Sequence, residues 1–323
     1  MSSAPVTNRQ PHGTSWAVPK WVRWIYIGNL IAQSGIIVTG AVVRITGSGL
    51  GCPTWPQCVE GSYTPTVHQA ESWHKYVEFG NRLLTFVLAV LAILAVIAAI
   101  TDRIKRARVG GPRRNSIFVL AFVPLVGTAA QAVLGGITVL TGLNPVTVAA
   151  HFLVSIALMA ACVALVVRSG EPGDQPITWL VPNPVRWLTY TLVAAGLAVV
   201  VLGVLVTGSG PHSGDADTEA RFPFDPRTVA WLHADAVLLF IGLLIGVLVA
   251  ASIVSQGRLL RKRAIIVLVI ALIQGIVGYG QFFTGLPATL VAIHVLGAVL
   301  TWLALLFVLP ALRTRGVQVS VPN

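Results

Sequence analysis

The chain has 323 residues, of which 55% are hydrophobic and 10% charged, with a mean hydropathy of +0.81. Soluble domains carry about 25% charged residues, so this composition points to a polytopic membrane protein, with no polar stretch long enough for a large soluble domain. The net charge of +11 would suggest a nucleic-acid partner only if the basic residues clustered on a soluble face; they lie between apolar runs instead, which argues against nucleic acid.

Residues 1–20 are polar and contain no apolar signal core, so no cleaved signal peptide is expected. Eight apolar runs of spanning length follow, at about 22–43, 76–100, 117–140, 145–168, 187–208, 228–251, 264–284 and 287–310. The expected fold is all-α and polytopic: eight transmembrane helices arranged as two pseudo-two-fold related four-helix bundles. The tails are 1–21 and 312–323, the halves 22–168 and 187–311, and a linker covers 169–186. Of the 22 Lys and Arg residues, 17 fall on the side holding both tails, 101–116, 169–186 and 252–263. The excess of basic residues marks that side as cytoplasmic. Trp21, Trp24, Trp73, Trp187 and Trp231 sit near span ends, as interfacial anchors do.

The first outer loop, about 44–75, carries Cys52 and Cys58 spaced C-x5-C. On an oxidising face a disulfide is the default. A zinc site would need further ligands, and the loop offers only His68 and His74. Cys162, alone in span four, reads as a small apolar residue. Span two opens with His74, Glu78, Asn81 and Arg82, whose spacing puts them on one helical face. The Glu78–Arg82 pair reads either as ordinary i, i+4 support or as a carboxylate placed to move protons or stabilise positive charge.

Residues 131–151, QAVLGGITVLTGLNPVTVAAH, recur at 274–294 as QGIVGYGQFFTGLPATLVAIH, with eight identities in 21. Gln131/Gln274, Thr-Gly-Leu at 141–143 and 284–286, and His151/His294 all keep register. Apolar composition inflates Ala and Leu matches but does not explain these. Spans one to four thus repeat as five to eight, and such repeats often place a site at or between the halves. For the first pair of spans, VTG at 38–40 and 206–208 and TGSG at 46–49 and 207–210 demand different offsets, so that register stays open.

His151, His233 and His294 lie in even-numbered spans, roughly 10 Å below the outer ends at about 1.5 Å per residue. Asn81 occupies the equivalent place on span two. A lone buried histidine is more often a packing residue than a ligand. Three at one depth, in repeat-equivalent positions, favour ligation, because burying ionisable groups in lipid is costly. Imidazole is a common axial ligand of haem iron, and His233 with His294 is the natural pair. Gln131 and Gln274 bond between helices or line pockets. Arg44 and Arg82 pair with haem propionates or anchor at the interface. Gly242 and Gly246 read as close helix packing, and His68 and His212 have no evident role.

These residues together resemble the haem A synthase family of respiratory membranes. The likeness covers nearly the whole chain: eight spans, the repeat, GAVVRITGSGLGCPTWPQC after span one, EFGNR on span two, and histidines on spans four, six and eight. It implies an oxidoreductase that converts the C8 methyl of haem O to a formyl group by successive hydroxylations, giving haem A for cytochrome oxidase. It also implies a haem b cofactor (iron) between His233 and His294, and a substrate haem site at His151, Asn81 and Arg82. Glu78 would be catalytic and Cys52–Cys58 the cysteine pair. Implied partners are haem O, a membrane electron acceptor, haem O synthase and cytochrome oxidase assembly factors, with a homo-oligomer left open. The implied location is a bacterial plasma membrane. Two departures stand out. The family pattern on span two is Glu-x-x-His-Arg, and here Asn81 replaces the histidine. Some members carry a second cysteine pair in the third outer loop; this chain has none. The rival readings are a non-catalytic di-haem electron carrier, which would want four good ligands, and a haem transporter or chaperone.

Overall fold

A computed structural model describes residues 18–111, 114–212, 214–215 and 220–316. The tails therefore fall mostly outside the described residues. Eight long helices run through the described chain: α1 (Lys20–Ile45), α2 (His74–Arg108), α3 (Asn115–Leu140), α4 (Pro145–Ser169), α5 (Asn183–Ser209), α6 (Pro226–Ile253), α7 (Arg258–Phe283) and α8 (Ala288–Leu306). All eight are long and apolar enough to cross a bilayer, where a helix is one of two ways to satisfy every backbone polar group internally. The chain is a multi-pass membrane protein.

The boundaries follow local chemistry. Asn144 accepts the Val146 amide at 2.9 Å just before Pro145 starts α4. Asp225 accepts the Thr228 amide at 2.7 Å and hydroxyl at 2.6 Å just before Pro226 starts α6. Those bonds from Thr228 hold the Asp225 carboxyl below the usual range, so the cap persists down into acid. α2 runs past the expected end at 100 because Asp102 and Arg106, one turn apart, pair at 2.8 Å.

α1 packs on α2 and α4, and α3 on α2 and α4, closing one four-helix ring. Helices α5, α6, α7 and α8 close a second in the same way. The rings meet where α1 and α4 touch α8 and α4 touches α5. Trp302 of α8, nearly buried there, donates its indole N–H to the Ile156 carbonyl of α4 at 3.2 Å. Many large apolar side chains remain exposed on the outer surface, among them Phe86, Val126, Ile276 and Phe283. In a membrane protein these face lipid, which is as apolar as they are.

One end of the molecule, the basic side, carries a clasp that periodicity did not predict. The linker strand β1 (Ile177–Trp179) pairs antiparallel with β2 (Arg313–Arg315), which follows α8 after a 3-10 turn, Leu309–Leu312. Glu171 of the linker takes Arg313 at 3.0 Å and Arg315 at 3.4 Å, and it also meets Arg168. Asp174 meets Arg168 and Ser116. Burial pushes its carboxyl up, but the Ser116 hydroxyl and amide and the Arg168 guanidinium prevail and hold it below the usual range.

The other end carries the disulfide loop and the two tight turns of the repeat. In both copies the Gly and Leu of Thr-Gly-Leu adopt left-handed backbone: Gly142 at φ 61° and Leu143 at 58°, Gly285 at 79° and Leu286 at 60°. The glycine is kept for its backbone, because a Cβ there would meet nothing within 4 Å. Gly142→Ala and Gly285→Ala should each cost about 1 kcal/mol through backbone strain alone. Thermal unfolding in detergent should show a small fall in midpoint with no loss of bound pigment.

Candidate functional site

The first-half site is built on the opening turns of α2. Glu78 is 5% exposed, and both of its oxygens are engaged. Oε1 accepts from Arg82 Nε at 3.0 Å and Nη2 at 2.6 Å; Oε2 accepts the Cys52 amide at 2.6 Å. Arg82 also donates to the carbonyls of Cys52 at 2.7 Å, Thr54 at 3.0 Å and Gln57 at 3.2 Å. All five guanidinium donors are thereby used within the protein. A propionate at Arg82 would have to displace one of these bonds.

Cys52 and Cys58 form a disulfide, and both are fully buried. Between them Trp55 lays its indole against Gly136 of α3, where a Cβ would sit 2.4 Å from the ring. Gly136 is the residue that admits the loop. His74 stacks on Trp73 at 4.0 Å and shares a 2.8 Å bond with Ser48 Oγ, at the root of the loop. Arg44 does not reach a free edge of the site. It donates to the carbonyls of His212 at 2.7 Å and Thr207 at 2.9 Å, stitching α1 to the second half. His212 in turn donates to the Leu286 carbonyl at 3.0 Å.

Deeper, Asn81 accepts from Thr39 Oγ1 of α1 at 2.7 Å. His151 on α4 faces α3, where a Cβ on Gly135 would stand 3.3 Å from its ring. Gln131 donates to the His151 carbonyl at 2.9 Å and to Ser155. The Nδ1 of His151 is buried with no partner among the described residues.

The second half repeats this geometry with a histidine where Asn81 stands. His233 on α6 and His294 on α8 place their ring centres 6.5 Å apart, nearly perpendicular. A Cβ added at Gly203 of α5 would stand 3.3 Å from the first ring, and one at Gly278 of α7 3.4 Å from the second. His233 donates its Nδ1–H to the Val199 carbonyl at 3.1 Å, which fixes the tautomer and leaves Nε2 with its lone pair. Of these glycines, Gly203 is not singled out by the sequence. Gly135 and Gly278 match within the long repeat, and Gly35 and Gly203 match at the offset that aligns VTG with VTG. The apposition of Gly203 to His233 and the Thr39–Asn81 bond one turn beyond Gly35 favour that register over the TGSG alignment.

The family model described as COX15-CtaA, cytochrome oxidase assembly protein, matches residues 23–306. The chain belongs to this family. Similar curated proteins carry the name heme A synthase. One from Bacillus mycoides (strain KBAB4) is 25% identical over 287 residues, covering 85% of this chain and 88% of its own. One from Lysinibacillus sphaericus (strain C3-41) is 27% identical over 190 residues, covering 58% of each. One from Bacillus cereus (strain AH187) is 25% identical over 286 residues, covering 85% of this chain and 88% of its own.

Glu78 is the keystone of the disulfide loop. Glu78→Ala leaves the Cys52 amide and Arg82 without their partner, which should cost about 3 kcal/mol locally. The loop should loosen, and dithiothreitol should reduce Cys52–Cys58 markedly faster than in wild type. Glu78→Gln keeps an acceptor and should show a smaller effect.

Proposed function

We propose that this protein is a haem A synthase, oxidising the C8 methyl of haem O to the formyl group of haem A. The observation that carries the reading is the second-half histidine pair set beside a first half that has His151, Asn81 and Glu78 in its place. We take the basic side to be cytoplasmic and the membrane to be a bacterial plasma membrane.

A resident haem b fits the second half on geometry. Two metal–imidazole bonds of about 2 Å, plus roughly 1 Å from each ring nitrogen to its ring centre, put the centroids about 6 Å apart. The observed separation is 6.5 Å. The ligands would be His233 and His294, and the facing glycines, Gly203 and Gly278, leave the rings room to stand upright. Bound there, the haem would supply one-electron redox chemistry.

The first half suits a haem that must be altered and released. His151 offers one axial nitrogen. Asn81 is a poor iron ligand, and its oxygen is already committed to Thr39. A haem held from one side is held less firmly than one clamped by two histidines. Glu78 takes a proton or stabilises positive charge developing on the substrate. Its Cys52 and Arg82 partners fix the carboxylate's orientation. The disulfide loop, with Trp55 seated on Gly136, lies at the outer end of the site. The oxidation requires an electron acceptor, which we take to be a membrane acceptor. A permanent di-haem carrier is not favoured, because the first half lacks its fourth ligand.

Pigment analysis of purified variants tests the assignment. His294→Ala should lose haem b, whereas His151→Ala should keep haem b and fail to make haem A. Loss of haem b from both, or from neither, would sink the division of labour. Glu78→Gln should accumulate haem O while the loop stays resistant to reductant; a normal haem A yield would remove Glu78 from the chemistry.

A further inference from the structure

The first bundle holds buried polar side chains that the proposed chemistry does not use. Tyr26, Asn29 and Gln33 occupy one face of α1 at spacings i, i+3 and i+7. Tyr26 and Asn29 are 0% exposed and Gln33 is 4% exposed. The Tyr26 hydroxyl and both polar atoms of the Asn29 amide lack a protein partner among the described residues. Orphaned groups of this kind are expensive, doubly so at membrane depth, and internal water is what usually satisfies them.

The column continues at both ends. Towards the basic side, Tyr26 lies within electrostatic reach of Asp102 and Arg114, and Asp102 is paired with Arg106. Towards the disulfide side, Gln33 donates to Thr128 Oγ1 of α3 at 2.8 Å. Gln131, three residues further along the same face of α3, reaches Ser155 and the carbonyl of His151. Ser34 touches the Met159 sulfur at 3.2 Å, one turn below Ser155.

The second half lacks this column. In the register set by the glycines, Tyr26, Asn29 and Gln33 correspond to Ala194, Leu197 and Val201. In the register of the long repeat, Thr128 and Ser155 correspond to Ala271 and Ala298. Only the glutamine, Gln131 and Gln274, is polar in both copies. The polar line is confined to the bundle in which Asn81 replaces a histidine.

We propose that a file of internal water, held by Tyr26, Asn29 and Gln33, links the level of His151 to the basic face and carries protons between them. Each step passes a proton from one water or hydroxyl to the next, breaking one O–H bond as another forms; no electrons move. Oxidising a C–H bond releases protons, and this column is their exit. The proton role rests on the first half being the substrate half; the water does not.

Hydroxyl-radical footprinting by X-ray radiolysis in 18O-water tests it on the full, haem-loaded chain. Radicals formed from trapped water oxidise the side chains they touch, however deeply buried. Tyr26 and Met159 should be labelled several-fold faster than Trp302, the buried second-half counterpart of Met159. Asn29→Leu, which installs the second-half residue, should abolish the excess while the haem b spectrum reports an intact fold; Asn29→Ser should keep it. Tyr26 labelled no faster than Trp302 in wild type, or unchanged in Asn29→Leu, would overturn the water file. Asn29→Leu should also slow haem A formation; an unchanged rate in a variant that has lost the labelling would overturn the proton role. Wild type that is labelled but makes no haem A would overturn the function and leave the water standing.

Discussion

Everything in this molecule answers to the cost of placing a polar group in hydrocarbon. Eight helices meet it for the backbone by bonding within themselves. Side chains have no such general solution, so each buried polar residue carries a specific arrangement. Glu78 is closed by three hydrogen bonds and returns the favour by anchoring a buried disulfide loop. Arg82 spends every donor. His233 is oriented by a carbonyl of the neighbouring helix. The histidines stand because the helix opposite each ring has no side chain at that point.

The two bundles start from one plan and depart from it in a correlated way. The turn, the glutamine, the histidine and the facing glycine are kept in both. Asn81 and the Tyr26–Asn29–Gln33 face are not. The asparagine and the buried polar line fall in the same bundle.

Much of this was legible in the sequence because lipid makes the code simple. Apolar runs near 20 residues gave the spans, and the Thr-Gly-Leu repeat located both tight turns, since only a glycine takes that backbone freely. Histidines stood out against an apolar background. Other features had no such contrast. Gly203 and Gly278 look like any glycine in a membrane helix until the ring opposite is seen. Tyr26, Asn29 and Gln33 drew no reading from the sequence, because a shared face matters only once the neighbouring helices are placed. The linker looked like a plain polar loop: three-residue strands such as Ile177–Trp179 are too short to show alternation, and their partner lies at the far end of the chain. Arg44 read as a propionate partner or an interface anchor, since nothing local announces that its acceptors are carbonyls some 160 residues away.

That far-end partner has a consequence for how the protein is made. β2 and its two arginines are made after all eight helices, yet they lock a linker synthesised well over a hundred residues earlier. Until then the two bundles are joined by the linker and by the contacts of α1 and α4 with the second ring. The clasp closes only once all eight helices have been made, so it secures the two bundles after they have met.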